Sequence, residues 1–114
     1  NYVDINKFRK SLASFRISSH TLMIEKGRHS NIQPELRYCS HCVNFIENEY
    51  HFLLVCPFYN DLRKRYIKPK YFTHPDINKF NILMSCKNTV VIRNLAMFIH
   101  YAMDLRKEHS STNV

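Results

Sequence analysis

The chain holds one glycine, Gly27, and no tryptophan among its 114 residues. Tight hairpin turns draw on glycine for positive φ, so its near-absence argues against a fold rich in sheet. No stretch reaches the roughly 18 consecutive apolar residues of a membrane-spanning helix. The longest apolar runs are Phe52 to Cys56, halted by Pro57, and Leu95 to Ile99, halted by His100. That excludes a membrane span. No apolar signal segment opens the sequence and no Asn-x-Ser/Thr acceptor occurs in it, so an intracellular, reducing setting (nucleus or cytoplasm) is expected. The sequence opens on Asn1 rather than Met, which reads as a fragment or a processed product. Acidic residues are also scarce: nine Asp and Glu face seventeen Lys and Arg, a formal net charge of +8. Such an excess suits a polyanionic partner, because each neutralised phosphate releases condensed counterions. Solubility alone is the competing explanation for scattered lysines.

What the chain does have is a set of soft ligands at close spacing. Cys39-Ser40-His41-Cys42 is followed by His51 and then by Cys56-Pro57. Three sulfurs and one imidazole complete a tetrahedral set, and structural zinc takes four such ligands at about 2.0 to 2.3 Å. Cys39, Cys42, His51 and Cys56 are therefore the expected ligands of one structural Zn²⁺. Two other fates of cysteine compete with this: free core thiols, or two disulfides once the fourth cysteine, Cys86, is included. The spacing and the reducing setting favour the metal. His41 is expected as a turn residue rather than a ligand, and Cys86 as a buried or unreactive thiol. A chain this short buries a modest share of its surface, so a metal worth of order 10 kcal/mol would hold its central third.

Apolar residues recur at helical spacing. Phe8, Leu12 and Phe15 mark a first helix from about Asp4 to Arg16. A second, capped by Ser18 or Ser19, carries Leu22, Met23 and Ile24 and stops at Gly27 in a left-handed C′ position. Leu36 to Cys39 and Val43 to Ile46 are expected to pair as a short hairpin holding the cysteine turn. Glu47 and Glu49 then open a helix through Tyr50 to Val55, their charge suited to its N-terminus. Residues five apart on an α-helix diverge by about 140°, so His51 and Cys56 share a metal only if that helix breaks near Cys56. Phe58, Leu62 and Tyr66 form another stripe, with Asp61 placed to pair with Arg65. Thr73 and Asp76 resemble a capping box for a helix from Pro75 to Met84 that turns Ile77, Phe80 and Met84 inward. Asn88 or Thr89 starts the last helix, whose Val91, Leu95, Phe98, Ala102 and Leu105 form a core or partner-facing seam ending near Lys107.

The expected fold class is thus mainly α with a short β-hairpin, a small zinc-stapled helical domain spanning 1–114 as one unit. Its parts are N-terminal helices (1–30), a zinc-binding hairpin and helices (36–66), C-terminal helices (75–107) and a flexible tail (108–114).

Read together, Arg16-x3-His20-x-Leu22-x-Ile24-Glu25-x-Gly27-Arg28, Cys39-x2-Cys42 and Glu49-x-His51-Phe52-Leu53-x2-Cys56-Pro57-x-Tyr59-x2-Leu62-Arg63 resemble the zinc-binding region at the C-terminal side of non-LTR retrotransposon reverse transcriptases. The resemblance covers about residues 8 to 66. It implies an accessory module that holds template RNA or target DNA near the polymerase, with metal ligands at Cys39, Cys42, His51 and Cys56. The reverse transcriptase domain of the same polyprotein is the protein partner it implies. The polymerase's Tyr-x-Asp-Asp string is missing, and so is the acidic cluster of a nuclease, since Pro75-Asp76 reads as a helix start. No enzyme activity is expected.

Three functions follow from these readings. In the first, a nucleic-acid-binding module, Arg28, Arg37, Arg63, Lys64, Arg65, Lys68 and Lys70 contact phosphates while Tyr66 or Tyr71 stacks on a base. In the second, zinc-stapled helices present the Val91 to Leu105 seam to another protein or another copy of the chain. A cysteine-based enzyme using Cys56 or Cys86 lacks an identifiable orienting partner.

Overall fold

Leu12 and Phe15 line the inner face of α1 (Tyr2–Arg16) in the computed structural model, which describes residues 2–42 and 44–112. That face packs along α6 (Thr89–Thr112), where Leu95, Phe98 and Ala102 are fully buried. The middle of the predicted seam is therefore core, with Val91 and Leu105 half-buried at its ends. Ser11 Oγ lies 2.8 Å from His100 Nδ1 and adds a polar tie between the two helices. Asn88 caps α6 by accepting from the Val90 and Val91 N–H groups at 2.9 and 3.1 Å. The helix continues past Lys107 to Thr112, so the tail expected to fray from 108 is helical that far; Asn113 and Val114 lie outside the described residues.

Three shorter helices close the body: α3 (Asn60–Tyr66), α4 (Pro69–Phe72) and α5 (Ile77–Met84). α3 lies on α6 and α4 on α5. Asp76 caps α5 by accepting from the Lys79 N–H at 2.7 Å, which starts the helix two residues later than Pro75. Phe80 and Met84 turn inward as expected, but Ile77, in the exposed first turn, does not. Leu83 is the fully buried residue of this helix. Asp61 and Arg65 form no ion pair. No single helix among the described residues is long and apolar enough to cross a membrane.

The second helix departs from expectation at both ends. α2 runs Met23–His29, and neither Ser18 nor Ser19 caps it. The Met23 N–H is taken instead by the carboxylate of Glu47 at 2.7 Å, a cap supplied from 24 residues away. Gly27 is inside the helix and has no positive φ. It is there for proximity: a Cβ at Gly27 would lie 2.6 Å from Cγ and 2.8 Å from Cδ of Arg37.

The expected hairpin does not form. Among the described residues there is no strand, only an isolated antiparallel bridge between Tyr38 and Ile46. Neighbouring backbone bonds exist on each side, Cys39 N–H to Phe45 O at 2.8 Å and Glu47 N–H to Arg37 O at 2.9 Å. The ladder has no room to grow, because Pro34–Leu36 is a 3-10 turn and Cys39 opens the ligand loop. Only Tyr38 is left to pair, because Arg37 (φ −84°, ψ 67°) is the centre of an inverse γ-turn closed by the Tyr38 N–H donating to Leu36 O at 2.9 Å. Val43 lies outside the described residues.

Candidate metal centre

Ligand atoms of Cys39, Cys42, His51 and Cys56 all lie within 4.8 Å of one another, close enough to hold a metal ion. Cys56 Sγ is 3.8 Å from both Cys39 Sγ and Cys42 Sγ. Two metal–sulfur bonds of about 2.3 Å meeting at the tetrahedral angle place their sulfurs about 3.8 Å apart. The spacing is compatible with zinc, and it is too long for a disulfide, whose sulfurs sit at about 2.05 Å. All four cysteines are free thiols, Cys86 half-buried away from the cluster.

The local backbone explains how His51 and Cys56 reach one centre. After Glu49 and Tyr50 the chain enters a π turn, His51–Val55, closed by the Cys56 N–H donating to His51 O at 2.8 Å. An i→i+5 bond widens the turn and lessens the divergence an α-helix would impose, and Cys56 then leaves the helix in extended backbone (φ −60°, ψ 121°). Asn48 holds the entrance, its Oδ1 accepting from the His51 N–H at 2.9 Å. Pro57 ends the helix as expected and opens the 3-10 turn Pro57–Tyr59.

That ending leaves carbonyls to satisfy. Pro57 has no N–H to give Leu53 O, and the Cys56 N–H is already committed to His51. Arg63 fills the gap: its Nε donates to Leu53 O at 2.8 Å, its Nη2 to Phe52 O at 3.0 Å and its Nη1 to Asn60 Oδ1 at 2.8 Å. At 2% exposure it is a structural residue. The expectation that Arg63 contacts phosphate is corrected by that burial.

Charge at the cluster is divided unequally. The Cys56 hydrogen bond draws the Cys39 pKa below the ordinary thiol range. Cys56 is pushed up by that same bond and by burial, and burial raises Cys42. The protein alone thus favours one thiolate; a dication is what would ionise the other two. Only two buried side-chain atoms among the described residues lack a hydrogen-bond partner, His51 Nε2 and the Tyr59 hydroxyl. The first belongs to one of the four clustered residues, and a bound cation would give such a nitrogen its partner.

His41 stays apart from the ligand set, as expected, but it is not an open turn residue. Its half-buried ring lies on Phe58, centroids 3.8 Å apart and 6° from parallel, and burial lowers its pKa.

Two carboxylates that spacing assigned to a local helix N-terminus have tertiary partners instead. Glu47, 1% exposed, accepts from Arg106 Nη2 at 2.7 Å and Nε at 3.2 Å besides capping α2. Arg106 therefore binds the metal corner to α6, a role that no local motif announces. Glu49 Oε2 accepts from His20 Nε2 at 2.8 Å and Ser18 Oγ at 3.1 Å. Because the Leu22 N–H donates to His20 Nδ1, the proton of the neutral ring sits on Nε2. The His20 bond holds the Glu49 carboxyl below its ordinary range.

The other basic and aromatic candidates divide by exposure. Lys64, Arg65, Lys68 and Lys70 are exposed. Arg28 is exposed too, with Nη2 3.2 Å from Glu25 Oε1. Arg37 is turned inward, donating to Ile32 O at 2.9 Å and Ile24 O at 2.8 Å. Tyr71 is buried in the core, and Tyr66 stacks on Tyr101 at 5.9 Å. Arg37 and Tyr71 are thus corrected along with Arg63, since each is committed inside the fold.

Comparison of the chain with models of protein families, with curated proteins and with solved structures finds no match.

Proposed function

We propose that the chain is a zinc-stapled accessory module that binds RNA or DNA phosphates through its basic surface. The observation that carries the reading is the cluster of four ligand atoms within 4.8 Å, with sulfur separations of 3.8 Å. Four protein ligands close a tetrahedral zinc and leave no position for an activated water, which is the mark of a structural site. Bound there, zinc supplies cross-linking: it joins the cysteine loop to the π turn. The exposed cations Lys64, Arg65, Lys68 and Lys70 follow that turn in sequence, and the net charge of +8 supports a polyanionic ligand. The resemblance of residues 8 to 66 to the retrotransposon zinc-binding region supports the same reading and makes the polymerase domain of one polyprotein the natural neighbour.

Native mass measurement with and without chelator, followed by salt titration of binding to single-stranded RNA and duplex DNA, tests it. One zinc per chain is expected. If the four exposed cations each neutralise a phosphate, the logarithm of affinity for a single strand falls with the logarithm of salt at a slope of about −3. A metal-free native protein, or binding indifferent to salt, overturns the reading.

A further inference from the structure

Phe45 is held on the metal corner with its ring in the open. It is 55% exposed, yet both its backbone polar groups are fixed by the cysteine loop: its carbonyl accepts from Cys39 N–H at 2.8 Å and its N–H donates to Cys42 O at 3.2 Å. Its ring lies over the imidazole of His51, centroids 5.7 Å apart and 18° from parallel. The ring therefore packs alongside a candidate ligand residue while more than half of the surface of Phe45 meets solvent. The aromatic side chains that spacing nominated for stacking are occupied, Tyr71 by burial and Tyr66 by Tyr101. His41 lies against Phe58.

We propose that Phe45 is a stacking platform for an unpaired nucleobase, so that the metal corner holds single-stranded nucleic acid in preference to duplex. The inference rests on the nucleic-acid reading above and adds the strand type and the residue that selects it. Every base has a flat π face, so an exposed ring binds single strands with little regard to sequence, while a duplex keeps its faces stacked internally; Tyr38, 42% exposed in the same corner, is the other ring a strand would meet there. A ring fixed in place before the strand arrives loses little freedom on binding, and the excess positive charge draws the strand in. Zinc contributes indirectly by locking the loop between Cys39 and Cys42 that presents the ring.

The experiment compares metal-loaded wild type, Phe45→Leu and Phe45→Trp in binding a short labelled oligouridine and a duplex DNA of equal length. Leucine still covers His51 but has no π face; tryptophan has a larger one. Phe45→Leu is expected to bind the single strand about tenfold more weakly, with duplex affinity and zinc content unchanged, and Phe45→Trp to bind at least as well as wild type. NMR of the wild-type complex should show uracil protons moved upfield by the ring current of Phe45. Unchanged single-strand affinity in Phe45→Leu, or an absence of that upfield shift, overturns the stacking assignment while leaving phosphate binding in place. Failure of the wild type to bind either nucleic acid overturns the underlying reading as well, and a docked protein would then be the occupant of this face.

Discussion

The helical body and the metal corner are held by opposite means. In the body, rings meet rings: Phe52 lies 5.7 Å from Phe15, 5.8 Å from Phe98 and 4.8 Å from Tyr59, and burial of that aromatic mass is its main stabilisation. The corner between Arg37 and Cys56 has a one-pair bridge, three sulfurs, an imidazole and a buried carboxylate. Its backbone alone would not persist, because two paired residues bury too little to offset the entropy of ordering the loop. Each part supplies what the other lacks. Phe52 follows His51 directly and plugs the corner into the body, while Glu47 and Arg106 tie it from the other side.

Metal removal should separate the two most strongly. On the zinc reading, chelation or Cys56→Ser withdraws a contribution of order 10 kcal/mol by zinc-peptide precedent. Hydrogen exchange should then show the Cys39 and Glu47 amides, bonded to Phe45 O and Arg37 O, losing protection while amides in the middle of α1 and α6 keep most of theirs. If all of them exchange together, the corner and the body are one cooperative unit. On the same reading the corner is sensitive to pH: metal binding must ionise thiols that the protein keeps protonated, so affinity rises with pH.

Truncation in the body should act in the other direction. Phe98 is fully buried between Phe52 and the Arg63 guanidinium, whose carbon lies 5.8 Å from its ring centroid. Phe98→Ala is expected to lower stability by about 3 to 5 kcal/mol, measured by urea unfolding of the metal-loaded protein. Because Phe52 loses its backing, the corner should loosen along with the helices.

The joints between the parts come next. Arg106→Met leaves the Glu47 carboxylate buried without its cation, an expected loss of about 3 kcal/mol. Replacing both partners, Glu47→Met with Arg106→Met, should recover all but about 1 kcal/mol, the residue being the lost cap on Met23. Arg63→Met removes the donors to Phe52 O and Leu53 O, with an expected loss of about 2 kcal/mol. A double-mutant cycle on Glu47 and Arg106 that gives no coupling would remove this joint from the account.

How far these parts could be read from residues alone follows the same division. The clustering of the four candidate ligands was readable because such residue types at short separations state their own chemistry, and helical periodicity marked α1 and α6 because their buried faces repeat. The π turn was hidden: the sequence showed that an α-helix would misdirect Cys56 and that Pro57 would break it there, as it does, but not that the chain would also widen its turn ahead of the break. Arg63, Arg37 and Arg106 look like surface cations to any reading of type and spacing. Their burial depends on which carbonyls and carboxylates the tertiary fold leaves in need of a donor, and that information is spread over distant segments. The hairpin failed for a similar reason, since alternation marks an extended chain without saying how many residues turns will remove from each end.

Gly27 tests the finest contact between corner and helix. Replacing glycine with alanine inside a helix ordinarily gains about 1 kcal/mol, and α2 is short enough to benefit. Opposing this, the new Cβ would fall 2.6 Å from Arg37 Cγ, so Arg37 must move from a position where it donates to both Ile24 O and Ile32 O. Two such bonds are worth about 1 kcal/mol each, and crowding adds to their loss. The displacement outweighs the propensity gain: Gly27→Ala should be destabilising by about 1 kcal/mol, read as a lowered urea midpoint with unchanged slope. Adding Arg37→Ala to Gly27→Ala should remove the clash and let the helix gain appear, so the two substitutions together are less costly than their sum. A stabilised Gly27→Ala single variant would show instead that Arg37 gives way freely, and that α2 meets the corner through Glu47 alone.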